Sequence, residues 1–256
     1  MNAVRSALVF MWMVVSVIPF GLGLVVCSLF LSDTRLWWTF AVPWLRGVII
    51  AAHLVGGVKY RVHGMENLPD AEDMRRVVLC PKHQSTWETF FFPSMTPHPL
   101  AYVFKRELLY IPIFGWCLAR LKMVNIDRRK RSQAWTKVAA QGRELMDRGK
   151  WVIMFPEGTR TERGKKGDYK SGATRLAVAT GASVIPIAVT SGRCWPRRTF
   201  TFIPGVIDVS IGTPVSALGR KPGELMDEVE RWIESEMKRL DPEAYAIKRD
   251  SALPNE

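Results

Sequence analysis

Two short blocks bring together residue types suited to proton transfer on an anionic substrate. His83-Gln84-Ser85-Thr86-Trp87-Glu88 offers an imidazole with a carboxylate five residues on, and Phe155-Pro156-Glu157-Gly158-Thr159-Arg160 offers a carboxylate, a glycine, a hydroxyl and a guanidinium in a row. Imidazole, with an unperturbed pKa of ~6.5, suits proton removal near neutrality. A carboxylate on its second nitrogen would fix the tautomer and stabilise the imidazolium. The planar fork of Arg160 suits a phosphate, and Gly158 lets a ligand approach the backbone closely. Both blocks also have plainer readings. Ser85-x-x-Glu88 is a capping-box signature, and Gly158-Thr159-Arg160 is compatible with an ordinary turn. Cap and orienting acid are compatible roles, since one carboxylate accepts several hydrogen bonds. Residues five apart lie about 140° from each other around an ideal helix, so a His83–Glu88 contact needs His83 in the loop before the helix.

Other chemistries find no support. There is no Gly-x-Ser-x-Gly elbow, so direct attack by a substrate hydroxyl is simpler than a covalent intermediate. Gly164-Lys165 is followed by Lys166 rather than Ser or Thr, which excludes a nucleotide-binding phosphate loop. His53, His63, His83 and His98 show no zinc-ligand spacing, so no metal is expected. Cys27, Cys80, Cys117 and Cys194 are scattered in apolar surroundings and read as thiols in a reducing compartment.

Strand-like runs at Lys59–His63, Val77–Cys80, Ala101–Phe104, Met123–Ile126, Trp151–Phe155, Val184–Val189 and Val206–Ile211 alternate with helical stretches. The clearest helices are Ser132–Arg148 and the C-terminal stripe of Leu225, Val229, Trp232, Ile233, Met237 and Leu240. This alternation predicts an α/β domain with a largely parallel or mixed sheet flanked by helices. Both chemical blocks follow strand ends, where open α/β sheets form their sites. Gly64–Asp73 and the tail after about Asp241 read as disordered.

The front of the chain is different. Ala7–Leu31 is 25 residues without a charge, long enough at ~1.5 Å per residue to cross a ~30 Å hydrocarbon core. Its length and the lack of a cleavage pattern favour a retained anchor over a signal peptide. A second apolar stretch, Leu36–Val58, contains Pro43 and Arg46 and reads as a re-entrant or interfacial helix, with Trp37, Trp38 and Trp44 at headgroup level. The expected organisation is therefore an N-terminal apolar membrane helix or helical hairpin over 1–58, a catalytic α/β domain over 59–240 and a tail over 241–256. The net charge is +12 and the pI about 9.8. Beside a membrane anchor, such charge suits anionic lipid headgroups better than nucleic acid.

Four motifs in order carry a family resemblance. His83–Glu88, Asn125-Ile126-Asp127-Arg128, Phe155–Arg160 and Val184-Ile185-Pro186-Ile187 resemble those of the membrane-bound 1-acyl-sn-glycerol-3-phosphate acyltransferases of the glycerolipid acyltransferase superfamily. Lys105-Arg106-Glu107-Leu108 resembles a further element of that family. The resemblance implies that His83 deprotonates the sn-2 hydroxyl of lysophosphatidate and that Glu88 orients His83. It implies that Arg128 and Arg160, with Lys105, hold the phosphate, that Glu157, Gly158 and Thr159 shape that pocket, and that Pro186 belongs to the acyl-chain side. Acyl-CoA or an acyl carrier protein would be the donor, with no metal or bound cofactor, at the cytoplasmic membrane with the catalytic domain facing the cytoplasm. Two positions depart from the family pattern: Glu88 stands where Asp is usual, and Lys82 where Asn is common. The same chemistry on another lysolipid, such as a lyso-ornithine lipid, is the alternative. A non-catalytic basic membrane adaptor would leave His83, Glu88 and the Glu157–Arg160 block without a purpose.

Overall fold

Val77-Val78-Leu79-Cys80 is an unbroken apolar run in which every residue is fully buried, the pattern of a strand covered on both faces. It lies at the centre of a mixed sheet in a computed structural model that describes residues 2–126 and 131–246. Helices α1 (Asn2–Cys27), α2 (Asp33–Leu36) and α3 (Val42–Leu54), with a π-helical turn at Trp37–Ala41, come first. There follow β1 (Val58–His63), β2 (Val77–Pro81), α4 (Trp87–Met95), β3 (Leu100–Lys105), α5 (Phe114–Arg120), β4 (Val124–Ile126), α6 (Arg131–Asp147) and β5 (Trp151–Ile153). The chain continues through α7 (Gly172–Thr180), β6 (Ser183–Val189), β7 (Gly205–Ile211), β8 (Val215–Ser216), α8 (Pro222–Leu240) and α9 (Pro242–Tyr245).

The sheet runs β1-β7-β6-β2-β5-β3-β4, with β8 added beside β6. From β6 through β2, β5 and β3 to β4 every pairing is parallel, whereas β7 and β8 meet β6 antiparallel. Five adjacent strands thus release their C-terminal ends on one side, where loops can meet. Pro186 sits mid-strand in β6, between the residues paired with β8 (Ser183, Val184) and those paired with β7 (Ile187 to Val189). A residue without an amide donor is tolerated at such a gap. Helix α8 starts with Pro222 at its first turn, carries Glu224 early and Lys238 and Arg239 late, and buries Leu225, Val229, Ile233 and Met237. Each feature suits a helix terminus or a core-facing stripe.

Helix α1 is, among the described residues, the one helix long and apolar enough to cross a membrane by length and composition. It is fastened to the rest of the chain along its length. Ser6 Oγ accepts from the Phe202 amide at 2.8 Å. Phe10 packs on Trp195, Phe200 and Phe202 with ring centroids 5.5, 5.2 and 5.6 Å away. Gly21 touches the Ile113 side chain so closely that a Cβ there would collide with it. The outward face keeps Val4, Met11, Val14, Val15 and Val26 exposed.

Three expectations need correction. Trp37 and Trp44 are turned into the protein rather than presented on its surface as anchors. Trp37 is buried at 2% exposure, and Trp44 donates to Ser16 Oγ at 3.0 Å and packs edge-on to Phe90. Only Trp38 of the three is exposed, because the other two rings wall an apolar cavity. The Gly64–Asp73 segment is ordered rather than disordered. Gly64 turns in the left-handed region at φ 77°, Asn67 Nδ2 donates to the Ile211 carbonyl at 2.8 Å, and His98 Nε2 lies 3.0 Å from the Asp70 carbonyl. At the other end, the chain just past Asp241 is helical (α9), and Asp241 itself is fully buried; residues from 247 onward lie outside the described ones.

Lys150, only 3% exposed, places Nζ 2.7 Å from Asp33 Oδ2 and 3.0 Å from the Leu121 carbonyl, tying the N-terminal helices to the start of β5. Removing one partner of a buried pair leaves an uncompensated charge. Asp33→Asn should lower stability by about 3 kcal/mol, read as an earlier thermal transition of the detergent-solubilised protein. Adding Lys150→Met should return most of that loss.

Candidate active site

His83 leaves β2 in a loop whose backbone is held at both ends. The Lys82 amide still donates to the Ile187 carbonyl at 2.8 Å, prolonging the ladder by one residue. The His83 amide donates to Glu157 Oε2 at 2.9 Å, and the His83 carbonyl accepts from Thr161 N at 2.8 Å and Thr161 Oγ1 at 3.1 Å. Its imidazole stacks on Phe155 with ring centres 3.8 Å apart. Glu88, in the first turn of α4 and fully buried, directs Oε2 to His83 Nδ1 at 2.5 Å. Its Oε1 accepts from the Gln84 amide at 2.8 Å, the Ser85 amide at 2.9 Å and the Ser191 hydroxyl. The Glu88 half of the capping box, its carboxylate on the Ser85 amide, therefore coexists with the contact with His83, while Ser85 Oγ accepts from the Trp87 amide at 3.1 Å instead of completing the box. With Nδ1 engaged, Nε2 is the nitrogen left for a substrate.

Glu157 faces inward. It is 2% exposed, so it shapes the site from behind rather than offering a carboxylate to a ligand. Besides the His83 amide, it meets Lys82 Nζ at 2.7 Å and the Gly167 amide at 3.1 Å. Lys82, fully buried, also reaches Glu234 Oε1 of α8 at 2.7 Å, and Glu234 accepts from Tyr169 Oη at 2.8 Å. Burial pushes the Glu157 carboxyl above its ordinary range, against the opposing pull of Lys82. Burial, with Glu157 and Glu234 nearby, likewise drives the Tyr169 phenol far above its usual range.

Beyond Glu157 the chain turns outward. Gly158 adopts φ 64° with open space where a side chain would project. Thr159 and Arg160 are exposed, and Arg160 Nη1 donates to Thr86 Oγ1. Lys105 ends β3, paired in register with Ile126 of β4, so its backbone sits on the same sheet edge. Arg128 lies outside the described residues. Pro186 is buried against Gly212 rather than on the cavity, because it occupies the sheet interior at the β7–β8 gap.

His83 and Phe155 line an apolar cavity of about 420 Å³ that runs between the sheet and the N-terminal helices. Leu24, Trp44, Phe90, Cys117, Leu118 and Met123 form much of its wall, and Thr86 stands beside His83 at its polar end. Of the aromatic run after Thr86, Phe90 faces this cavity, while Trp87, Phe91 and Phe92 are core. Thr161, Ser191 and Glu234 were not singled out in the sequence, and Lys82 only as a departure from the family pattern. Ser191 follows β6, the other parallel neighbour of β2, so the rule that sites gather at strand ends could have found it. Glu234 lies in α8, and no local signal marks it.

A sheet that places a His–carboxylate pair at one end of an apolar pocket suits transfer of a fatty acyl group to an alcohol. Residues 59–190 match the family model described as Acyltransferase, and the chain belongs to that family. It is 43% identical over 202 residues, covering 78% of this chain and 77% of the relative, to the 1-acyl-sn-glycerol-3-phosphate acyltransferase of Pseudomonas aeruginosa. It is 30% identical over 182 residues to a chloroplastic 1-acyl-sn-glycerol-3-phosphate acyltransferase of Arabidopsis thaliana, covering 70% of this chain and 49% of that protein. The fold is that of the crystal structure of the 1-acyl-sn-glycerophosphate acyltransferase PlsC from Thermotoga maritima. The two match at a TM-score of 0.78 and 22% identity, over 98% of each chain.

Lys82→Met would leave Glu157 and Glu234 as buried carboxylates without their cation, and should cost about 3–5 kcal/mol of stability. Lys82→Met/Glu157→Gln/Glu234→Gln should recover most of it, since neutral partners of similar shape carry no stranded charge. Denaturation midpoints of the solubilised proteins decide the matter.

Proposed function

We propose that this enzyme transfers an acyl chain from a thioester donor to the sn-2 hydroxyl of 1-acyl-glycerol 3-phosphate, giving phosphatidate. The observation that carries the reading is the His83–Glu88 pair, joined at 2.5 Å, at one end of an apolar cavity of about 420 Å³. The acceptor hydroxyl gives its proton to His83 Nε2 as its oxygen attacks the thioester carbonyl. The imidazolium so formed is stabilised by Glu88 through Nδ1. When the tetrahedral intermediate collapses, the C–S bond breaks and the departing thiolate takes that proton back from Nε2. Products are the ester and a free thiol, and His83 returns to its starting state. The donor brings the acyl group already activated, so the chemistry calls for no metal or resident cofactor.

Arg160 holds the acceptor phosphate, aided by Arg128 and Lys105, while Gly158 and Thr159 leave the turn open for it to approach. Acyl-CoA and acyl carrier protein both supply a suitable thioester. The exposed apolar face of α1 rests in the cytoplasmic membrane with the catalytic domain on its cytoplasmic side, so lipid acceptors reach the cavity from the bilayer.

Membranes containing the chain should convert lysophosphatidate and labelled acyl donor to labelled phosphatidate, and His83→Ala should lower that rate by roughly 10²–10⁴-fold. Transfer to lyso-ornithine lipid alone would retain the base and overturn the phosphate assignment of Arg160. Cys117→Phe, which fills the cavity wall, should shift the preferred donor toward shorter acyl chains in competition between labelled lengths. An unchanged preference would remove the acyl chain from this cavity.

A further inference from the structure

A second pocket, of about 410 Å³, opens just past the Glu157–Arg160 turn in the chain, walled by Arg163, Arg193, Arg197 and Arg198 with Pro196 and Ile203. Two of its guanidiniums are fixed from behind by a buried carboxylate. Arg163 grips Asp241 through two bonds of 2.7 and 2.8 Å, and Arg193 reaches the same carboxylate at 2.9 Å. Arg197 and Arg198 have no carboxylate within ion-pair distance among the described residues. The acid on this wall, Glu162, pairs with Lys165 at 3.0 Å and also feels the charges of Arg197 and Arg198.

The pocket adjoins the catalytic pair on two sides. Gly192 donates to Gln84 Oε1 at 3.3 Å, one residue after Ser191 bonds Glu88. Arg197 Nη1 donates to the Arg160 carbonyl at 2.9 Å, while the Arg160 side chain reaches Thr86 at the polar end of the apolar cavity. Arg160 therefore stands between the two pockets.

We propose that this second pocket takes the phosphorylated nucleotide end of an acyl-coenzyme A donor. The inference rests on the reading that the donor's thioester lies at His83. With its acyl chain in the apolar cavity, the rest of the donor leaves past Arg160 and needs an anion-accepting place within reach. Guanidinium forks bond phosphate oxygens in pairs and stack on flat rings, and Pro196 and Ile203 supply an apolar wall for the base. The concavity falls in the range of small-ligand pockets, ~300–1,000 Å³, whereas a carrier protein would need a broad face.

The test is steady-state kinetics of the full chain in detergent micelles, comparing wild type with Arg197→Ala/Arg198→Ala. Palmitoyl-CoA, its 3′-dephospho analogue and palmitoyl-acyl carrier protein serve as donors. The double variant should raise the KM for palmitoyl-CoA by about tenfold or more, roughly the loss of one charge-assisted contact. Its kcat should stay within about twofold, any rise in its KM for lysophosphatidate should be smaller than the rise for palmitoyl-CoA because Arg197 also braces the Arg160 carbonyl, and its penalty should shrink with the 3′-dephospho donor. An unchanged KM for palmitoyl-CoA, a rise in the lysolipid KM instead, or a penalty confined to the carrier-protein donor would each overturn the proposal. If wild type acylated no lysophosphatidate, the functional reading would fall. Displacement of a fluorescent CoA from wild type but not from the double variant would still support the pocket, and equal displacement from both would overturn it.

Discussion

A fully buried carboxylate is unfavourable by several kcal/mol unless donors replace its lost water, and Glu88 meets that requirement with donors from two separate segments. The loop after β2 supplies two amides and the imidazole, α4 supplies the carboxylate, and the turn after β6 supplies the Ser191 hydroxyl. The geometry of His83 thus depends on β6 and β2 being parallel neighbours whose C-terminal ends coincide. A shift of either strand would strand polar groups in the interior.

The second constraint lies behind the first. Lys82, Glu157 and Glu234 form a buried charged group that fixes the His83 amide from the opposite side and reaches α8, about 150 residues further along the chain. Buried ion pairs are a poor source of net stability, but disrupting one is costly. Their contribution here is positional: the loop between two hydrogen-bonded anchors has little freedom left, and the imidazole is presented with one nitrogen occupied.

Much of this was legible from residue order alone. The apolar runs of β2 and β6, bounded by polar loops, gave the central strands, and the Ser85-x-x-Glu88 spacing gave both the start of α4 and the position of His83 ahead of it. What the sequence hid was partnership between distant segments. Nothing near Glu157 says that its carboxylate turns inward to Lys82 rather than outward to a ligand, because that choice depends on Glu234 and Gly167 arriving beside it. The inward packing of Trp37 and Trp44 was hidden for a similar reason. An amphipathic ring beside an apolar stretch suits an interface, yet these two rings are enclosed by α1 and by Phe90. The Gly64–Asp73 loop looked disordered from its composition, but its order comes from contacts to Ile211 and His98.

The central claim is that Glu88 acts on the reaction through His83 and is more than a helix cap. The most direct measurement is kcat/KM for lysophosphatidate acylation by Glu88→Gln across a range of pH, together with its thermal transition. A glutamine oxygen can still accept from the Gln84 and Ser85 amides, so the cap is largely kept while the imidazolium loses its counter-charge. The account predicts a fall on the order of 10²–10⁴-fold in kcat/KM with a far smaller effect on stability. A fall below about tenfold, or one matched by general unfolding, would contradict it.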